Sequence, residues 1–365
     1  MRKKKRSVAI ISRESNKKTI DVRMLEEELR RRGVKVQTLC KLLTKDKSIK
    51  SLGYIGHVIK QEAAILRADV VVLDTYCIPA SMIPHGKGTK IIQMWHALAA
   101  IKKFGWQTVG KKDGSSEKTA KLMKMHKGYD YVIASSDITA EHFSEGFRTD
   151  RSKIVKQGLP RIDYIKSVSS GSLRSEIQNR IYGRYPSLEK SDRKLVLYVP
   201  TFRRNSDVSS DIAALADAIN YDNYNLVVKL HPVYRGKDIS DGYPNVIFDD
   251  DFKSFDWLSV ADVIISDYSS LVVEATLADK PLYLYTFDIE EYMAGTGLNT
   301  DFSKEPIAPY VFKNPSDLAA ALDKPYDLSK LHAFRDRYID IDIGTDDTDG
   351  NLCTKRLVDF IESLL

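Results

Sequence analysis

At 365 residues the chain is too long for one comfortable hydrophobic core and is expected to divide in two. Its 43% hydrophobic and 29% charged content is ordinary for a globular protein in water, no apolar run is long enough to span a membrane, and three scattered cysteines exclude a disulfide framework or a Cys-rich zinc site. The net charge of +6 conceals an asymmetry: residues 1–170 hold 35 Lys and Arg against 17 Asp and Glu, and residues 171–365 hold 21 against 33. The basic half is expected to meet an anionic partner, whether nucleic acid, a membrane surface or a phosphorylated acceptor.

The basic start, Met1 to Arg6, looks like a signal-peptide n-region, but the apolar segment behind it ends at Ser12, too soon for an h-region, and a cytoplasmic protein is expected. Arg6 to Ser12 reads as a first strand. Asp21 to Arg32 places Val22, Leu25 and Leu29 on one helical face, with Glu26, Glu27, Arg30 and Arg31 on the other. Gly33 stops this helix, and Val34 to Thr38 resumes as a strand. The βαβ opening is Rossmann-like but has no Gly-x-Gly-x-x-Gly loop, which argues against a dinucleotide here. Ile55 to Leu66 reads as a helix and Ala68 to Asp74 as a buried strand.

Lys90 to His96 is a strand that ends on a histidine, at the sheet edge where open α/β folds bind ligands. Behind it come Lys102, Lys103, Phe104, Trp106, Lys111 and Lys112, in a stretch with no acidic residue between Asp74 and Asp113. Lysines interleaved with aromatics suit an anionic membrane surface or single-stranded nucleic acid. Tyr131 to Ser135 reads as a strand and Ile138 to Phe147 as a helix. Gly158 to Asp163 reads as a turn leading to the second domain, and Ser167 to Ser175 as exposed loop.

The βα pattern then restarts. Lys194 to Val199 is a strand followed by Pro200-Thr201-Phe202-Arg203; Asp211 to Asn220 is a helix; Asn225 to Leu230 is a strand ending in His231-Pro232. After a short strand at Val246 to Phe248 and a helix at Phe252 to Val260 comes the apolar strand Ala261 to Ile265. It runs into Ser266-Asp267-Tyr268-Ser269-Ser270 and a helix over Leu271 to Ala278. A strand, a Ser/Asp turn and a helix start put backbone N–H groups and hydroxyls where a phosphate binds without metal. Pro281 to Tyr285 is the next strand, and Asn351 to Leu365 is an amphipathic closing helix. Asp249-Asp250-Asp251 precedes a helix and reads as N-cap and dipole charge, and Asp340-Ile341-Asp342 lacks the spacing of a calcium loop, so no metal is expected. Strands of one parallel sheet point their carboxyl ends the same way, so Arg203, His231 and the Ser266–Ser270 turn can share a crevice, with His96 facing them from the other half.

In order, Gln93-x-Trp95-His96 with Lys103, Gly158-x-Pro160-Arg161-x-Asp163, Pro200-Thr201-Phe202-Arg203, Lys229-Leu230-His231-Pro232, Ser266-Asp267-Tyr268-Ser269-Ser270, Asp279-Lys280-Pro281, Asp288-x-Glu290-Glu291-Tyr292 and Asp349-Gly350 resemble the motifs of the CDP-glycerol glycerophosphotransferase family, the teichoic-acid primases and polymerases. The chain departs from that pattern with Ala97 for Gly, Ile162 for Asn and Glu274 for Asp. The resemblance implies an α/β GT-B fold of two Rossmann-like domains facing a cleft, with the C-terminal helix crossing back. The first, residues 1–166, would face acceptor and membrane; the second, 167–365, would bind the donor. The donor would be CDP-glycerol or CDP-ribitol, used as a substrate with no cofactor. The acceptor would be a hydroxyl on an undecaprenyl-diphosphate-linked saccharide or a growing polyol-phosphate chain, and CMP would leave.

On this reading His96 is the general base, and Arg203, His231, Ser269 and Ser270 stabilise the phosphates, with His231 able to assist the departing CMP. Ser266 and Asp267 belong to the donor site, Asp267 orienting a donor group or capping the helix, and Glu274 reaches a ribose or polyol hydroxyl. Lys102, Lys103, Phe104, Trp106, Lys111 and Lys112 meet the acceptor and an anionic membrane at the inner face of the cell membrane, and nucleic acid is not a partner. Two other classes fit parts of the pattern: a nucleotide-sugar glycosyltransferase of the same fold, and a non-catalytic basic protein that binds membrane or RNA through Lys102 to Lys124.

Overall fold

The computed structural model describes residues 6–42, 50–86, 88–111, 114–201, 208–230, 243, 245–344 and 351–365. Two six-stranded sheets, parallel throughout, organise two compact units. The first unit comprises residues 1–164 with 338–365, and the second residues 165–337.

In the first unit the strands are β1 (Ser7–Ser12), β2 (Lys35–Cys40), β3 (Val70–Leu73), β4 (Lys90–Gln93), β5 (Tyr131–Ala134) and β6 (Ile154–Lys156), in the order β2-β1-β3-β4-β5-β6. Val70, Val71, Val72 and Leu73 are all fully buried, as β-branched residues covered on both faces of a parallel sheet should be. Each such side chain contributes roughly 1.5–3 kcal/mol relative to exposure. The order turns back on itself at β1, which lies between β2 and β3. Ligands of open α/β sheets bind beyond the strand carboxyl ends at such a switch point. The helix Ile20–Arg31 is started by Thr19, whose Oγ1 accepts the Val22 amide at 3.4 Å, and it ends before Gly33 at φ +77°. The helix expected from residue 55 begins earlier, as Lys50–Ile65.

The segment expected to be a turn, Gly158 to Asp163, instead opens the helix Pro160–Ser169. Proline is at home in a first helical turn, where its missing N–H costs nothing. Arg161 is buried and grips Asp21 three ways: its backbone N donates at 2.8 Å, Nε at 2.8 Å and Nη2 at 2.5 Å. Asp163 accepts the amides of Cys353 at 3.0 Å and Thr354 at 2.7 Å, and the Thr354 hydroxyl at 2.7 Å, so it caps the terminal helix Leu352–Ser363. A side chain on Gly158 would meet Cys353 Sγ at 2.6 Å, so only glycine admits that helix so close. Arg32 pairs with Asp359 and Glu362 from the same helix. These contacts explain why the second unit stops at Arg337 instead of running on to residue 365.

In the second unit the strands are β7 (Lys194–Tyr198), β8 (Tyr224–Val228), β9 (Val246–Phe248), β10 (Val263–Ser266), β11 (Leu282–Tyr285) and β12 (Val311–Phe312), in the order β12-β11-β10-β7-β8-β9. The switch point here lies between β10 and β7. The loop expected at 167–175 gives way to the helix Arg174–Arg184, and the helix expected over 252–260 is only a 3-10 turn, Asp256–Ser259. The helix after β10 is a five-residue α-helix, Leu271–Ala275, continued by a 3-10 turn, Thr276–Ala278. Among the described residues no helix is long and apolar enough to cross a membrane.

Candidate active site

Three neighbouring strands of the first unit, β1, β3 and β4, deliver Arg13 and Glu14, Asp74 to Tyr76, and Trp95 and His96 beyond their carboxyl ends. β4 stops at Gln93, three residues short of the histidine. Gln93 shapes the link: its Nε2 donates to the Thr75 carbonyl at 3.1 Å, and its Oε1 accepts the Trp95 amide at 2.9 Å. Trp95 is held at φ +61°, a region that bulky residues rarely enter. Ala97 has a negative φ, so the methyl group in place of glycine is accommodated without strain.

His96 Nδ1 lies 3.0 Å from the main-chain carbonyl of Asp74. A carbonyl only accepts, so Nδ1 carries the hydrogen and the neutral ring keeps its lone pair on Nε2. Glu14 Oε1 is 3.7 Å from the same Nδ1. The Trp95 ring lies 4.1 Å from the imidazole, centre to centre. A cavity of about 390 Å³ lies against His96, lined also by Arg13, Glu14, Tyr76, Thr119 and His126. The histidine is 34% exposed, neither sunk in the core nor free on the surface.

Behind His96 lies Asp74, buried, with no hydrogen-bond partner among the described residues within ordinary bonding distance of either carboxyl oxygen. Burial raises its pKa to about 6, against the pull of Ser12, His96 and Thr75. His126 is also buried, with Nδ1 2.9 Å from the Tyr129 hydroxyl, and burial lowers its pKa to about 3. His126 is therefore neutral wherever the protein is folded at ordinary pH. Glu14 and Asp74 were not singled out in the sequence. The usable signal was the one that picked out His96: position just past a buried parallel strand.

The basic and aromatic segment behind His96 packs inward. Phe104 lies 4.9 Å from Trp95, 4.9 Å from Phe147 and 5.9 Å from Phe143, ring centre to ring centre. Trp106 donates through Nε1 to the Met125 carbonyl at 3.0 Å, and Arg148 lies 4.7 Å over its ring. Gly105 between them is at φ +56°, and a β-carbon there would meet the Gly146 carbonyl oxygen at 2.2 Å. The two aromatics expected to meet a membrane are thus bound to the protein's own helix Asp137–Phe147 and its neighbours. Lys102 and Lys103 are half-buried and Lys111 is exposed; Lys112 lies outside the described residues.

In the second unit, the turn after β10 is tied to the end of β7. Ser266 Oγ donates to the Val199 carbonyl at 2.9 Å. Asp267 takes the Thr201 amide at 2.8 Å and the Thr201 hydroxyl at 2.5 Å. Both residues are fully buried and tie the turn to the Val199–Thr201 segment. Glu274 is buried as well. Ser269 and Ser270 are the half-exposed members of the turn. Ser269 Oγ accepts the Leu271 amide at 3.2 Å, whereas the Ser270 hydroxyl makes no capping bond. Arg203 and His231 lie outside the described residues.

One strand end further on, Lys229 Nζ donates to Asp249 Oδ2 at 2.9 Å and to its carbonyl at 2.8 Å. Asp249 also accepts from Trp257 Nε1 at 2.8 Å, the Tyr185 hydroxyl at 2.8 Å and the amides of Asp251 and Phe252. Burial pushes its carboxyl up, but the bonds from Trp257, Lys229 and Tyr185 outweigh burial and hold it below the usual carboxylate range. This carboxylate is fully engaged in fixing the chain before His231. Among the described residues no group of three or more His, Cys, Asp or Glu could hold a metal ion.

Residues 1–362 match the sequence profile of a family described as CDP-glycerol:poly(glycerophosphate) glycerophosphotransferase. The chain is 30% identical over 322 residues to the teichoic acid ribitol-phosphate primase of Bacillus spizizenii, covering 86% of this chain and 79% of that protein. It is 28% identical over 315 residues to the teichoic acid glycerol-phosphate primase of Bacillus subtilis, covering 85% and 77%. Its fold is similar to that of the wall teichoic acid polymerase TagF in a form soaked with CDPG, with a TM-score of 0.73 at 18% identity over 99% of this chain and 89% of that one.

Proposed function

Because the chain belongs to the CDP-glycerol:poly(glycerophosphate) glycerophosphotransferase family, we propose that it is a polyol-phosphate transferase of teichoic-acid or capsule synthesis that moves glycerol phosphate or ribitol phosphate from a CDP-polyol to an acceptor hydroxyl and releases CMP. The acceptor is the terminal hydroxyl of an undecaprenyl-diphosphate-linked saccharide or of a growing polyol-phosphate chain. The observation that carries the reading is the state of His96: Nδ1 committed to a main-chain carbonyl, Nε2 left to the cavity and a carboxylate at 3.7 Å.

An alcohol is a poor nucleophile until its proton is taken. His96 Nε2 removes that proton as the oxygen attacks the phosphorus bearing the polyol. The bond from that phosphorus to the oxygen bridging to CMP breaks, and CMP leaves with the electron pair. Glu14 lies beside the protonated ring, and the Asp74 carbonyl keeps the ring from turning. The half-exposed Ser269–Ser270 turn receives the donor phosphates. Arg203 and His231, which follow β7 and β8 in the sequence, neutralise the charge that builds on the transferred group and on CMP. Asp267 holds Thr201, and Asp249 holds Lys229, each two residues before one of them in the sequence. The basic balance of residues 1–170 suits an acceptor anchored in an anionic membrane at its inner face.

The primases above act on different polyols, and the likeness to both leaves the donor to be assayed. Purified protein incubated with a lipid-linked acceptor and with CDP-glycerol, CDP-ribitol or UDP-sugars should release CMP from one or both CDP-polyols and no UDP. UDP release without CMP would replace this reading with sugar transfer by the same fold. The inward packing of Phe104 and Trp106 already speaks against an RNA-stacking surface.

A further inference from the structure

The cavity of about 390 Å³ beside His96 has a second feature that proton transfer does not use. Arg13 lines it, one residue past the end of β1 and on the strand neighbouring Asp74. Its backbone amide donates to Thr75 Oγ1 at 3.2 Å, which fixes the residue to the edge where His96 also emerges. The guanidinium lies 5.3 Å from the centroid of the Tyr76 ring, and its charge and a side-chain hydrogen bond reach the neutral Tyr54 phenol, which leaves the positive charge itself uncompensated. Its Nε is buried with no hydrogen-bond partner. Among the described residues the guanidinium forms no ion pair, and the adjacent carboxylate, Glu14, is turned to His96 instead. A guanidinium cannot shed its charge, and a buried donor left unmet is costly. Such a cation on the wall of a reaction cavity marks the place of an anion that arrives with the substrate.

We propose that Arg13 binds a phosphate of the acceptor, the one on the polyol unit whose hydroxyl His96 deprotonates. The inference rests on the transferase reading above and sharpens it. Arg13 shares its unit and its cavity with the base, so the phosphate it takes belongs to the nucleophile's side of the reaction. The planar fork of arginine matches a phosphodiester oxygen pair, and a cavity of this size is at the small end of ligand sites, with room for one polyol phosphate. The preferred acceptor therefore ends in a polyol phosphate and not in a bare saccharide.

The test compares two lipid-linked acceptors, one ending in glycerol phosphate and one in the unmodified saccharide, with the wild-type protein, Arg13→Gln and Arg13→Lys. Arg13→Gln should raise the KM for the phosphate-ended acceptor at least about tenfold, the loss expected for one charge-assisted contact. It should leave the KM for the CDP-polyol and for the bare acceptor unchanged, and Arg13→Lys should recover part of the loss. In parallel, glycerol 3-phosphate titrated calorimetrically into the wild-type protein should bind, and binding should weaken in both variants, less in the lysine one. That titration needs no turnover, and Arg13→Lys keeps the charge if Arg13→Gln does not fold. An unchanged acceptor KM, an increase confined to the CDP-polyol KM, or glycerol 3-phosphate binding indifferent to Arg13 would each overturn the proposal. Absence of CMP release by the wild-type protein from every donor would overturn the transferase reading, while the titration still decides whether Arg13 holds a phosphate.

Discussion

At the scale of single residues, the proposed base depends on neighbours beside it. The Asp74 carbonyl sets the His96 tautomer, while the Asp74 carboxyl is buried with no hydrogen-bond partner among the described residues at ordinary distance. Its pKa rises from 3.8 to about 6 on folding, so between those values the folded protein holds a proton that the unfolded chain has lost. Stability from this group is present below pH 4 and falls as pH rises through 6. Asp74→Asn removes the charge that burial disfavours. Thermal unfolding should show the variant stabilised at pH 8, by up to about 3 kcal/mol, and nearly unchanged at pH 4. A variant less stable than wild type at pH 8 would mean that Asp74 is paired in solution. His96 was legible because an apolar strand ran straight into it. The buried state of Ser266 and Asp267 was not, because a serine or aspartate that binds phosphate and one that ties two loops together have the same sequence. The hydrogen bonds to Val199 and Thr201 are what the structure adds.

At the scale of elements, the Gly-Leu-Pro-Arg-Ile-Asp segment shows what local rules miss. Glycine and proline together signal a turn, yet Pro160 starts a helix, and the charged residues behind it reach partners far along the chain. Arg161 binds Asp21 in the helix Ile20–Arg31, and Asp163 caps the helix Leu352–Ser363. Long-range pairing of this kind leaves no periodic trace. Asp163→Ala should remove three hydrogen bonds at that cap, two of them from backbone amides. A loss of roughly 2–4 kcal/mol is expected, with hydrogen exchange accelerating first at residues 352–363. Uniform acceleration across the first unit would instead place Asp163 in a single cooperative core. The strands themselves were readable from buried β-branched runs. The segment from Lys102 to Lys111 was not, since composition does not say which way an aromatic points, and Phe104 and Trp106 are turned inward by a glycine at positive φ.

At the scale of the molecule, each sheet brings its chemistry to the carboxyl ends of strands beside a switch in strand order. In the first unit that chemistry is a histidine with a carboxylate and an arginine that forms no ion pair among the described residues, around one cavity. In the second it is the half-exposed Ser269–Ser270 turn, whose neighbour Asp267 is tied to Thr201. The restart of the βα pattern after residue 190 made the two sheets visible in the sequence; the return of residues 338–365 to the first unit had to be seen. The proposed roles of His96, the Ser269–Ser270 turn and Arg13 all require that a polyol phosphate is transferred. The direct measurement is the mass of a lipid-linked acceptor after incubation with CDP-glycerol or CDP-ribitol and either wild-type protein or His96→Ala, with binding of the CDP-polyol to both proteins followed by calorimetry. Wild type should add the mass of one or more polyol phosphates, whereas His96→Ala should add none, or at least about a hundredfold less per unit time, while binding the donor as tightly. Product formed by His96→Ala at the wild-type rate would contradict the account.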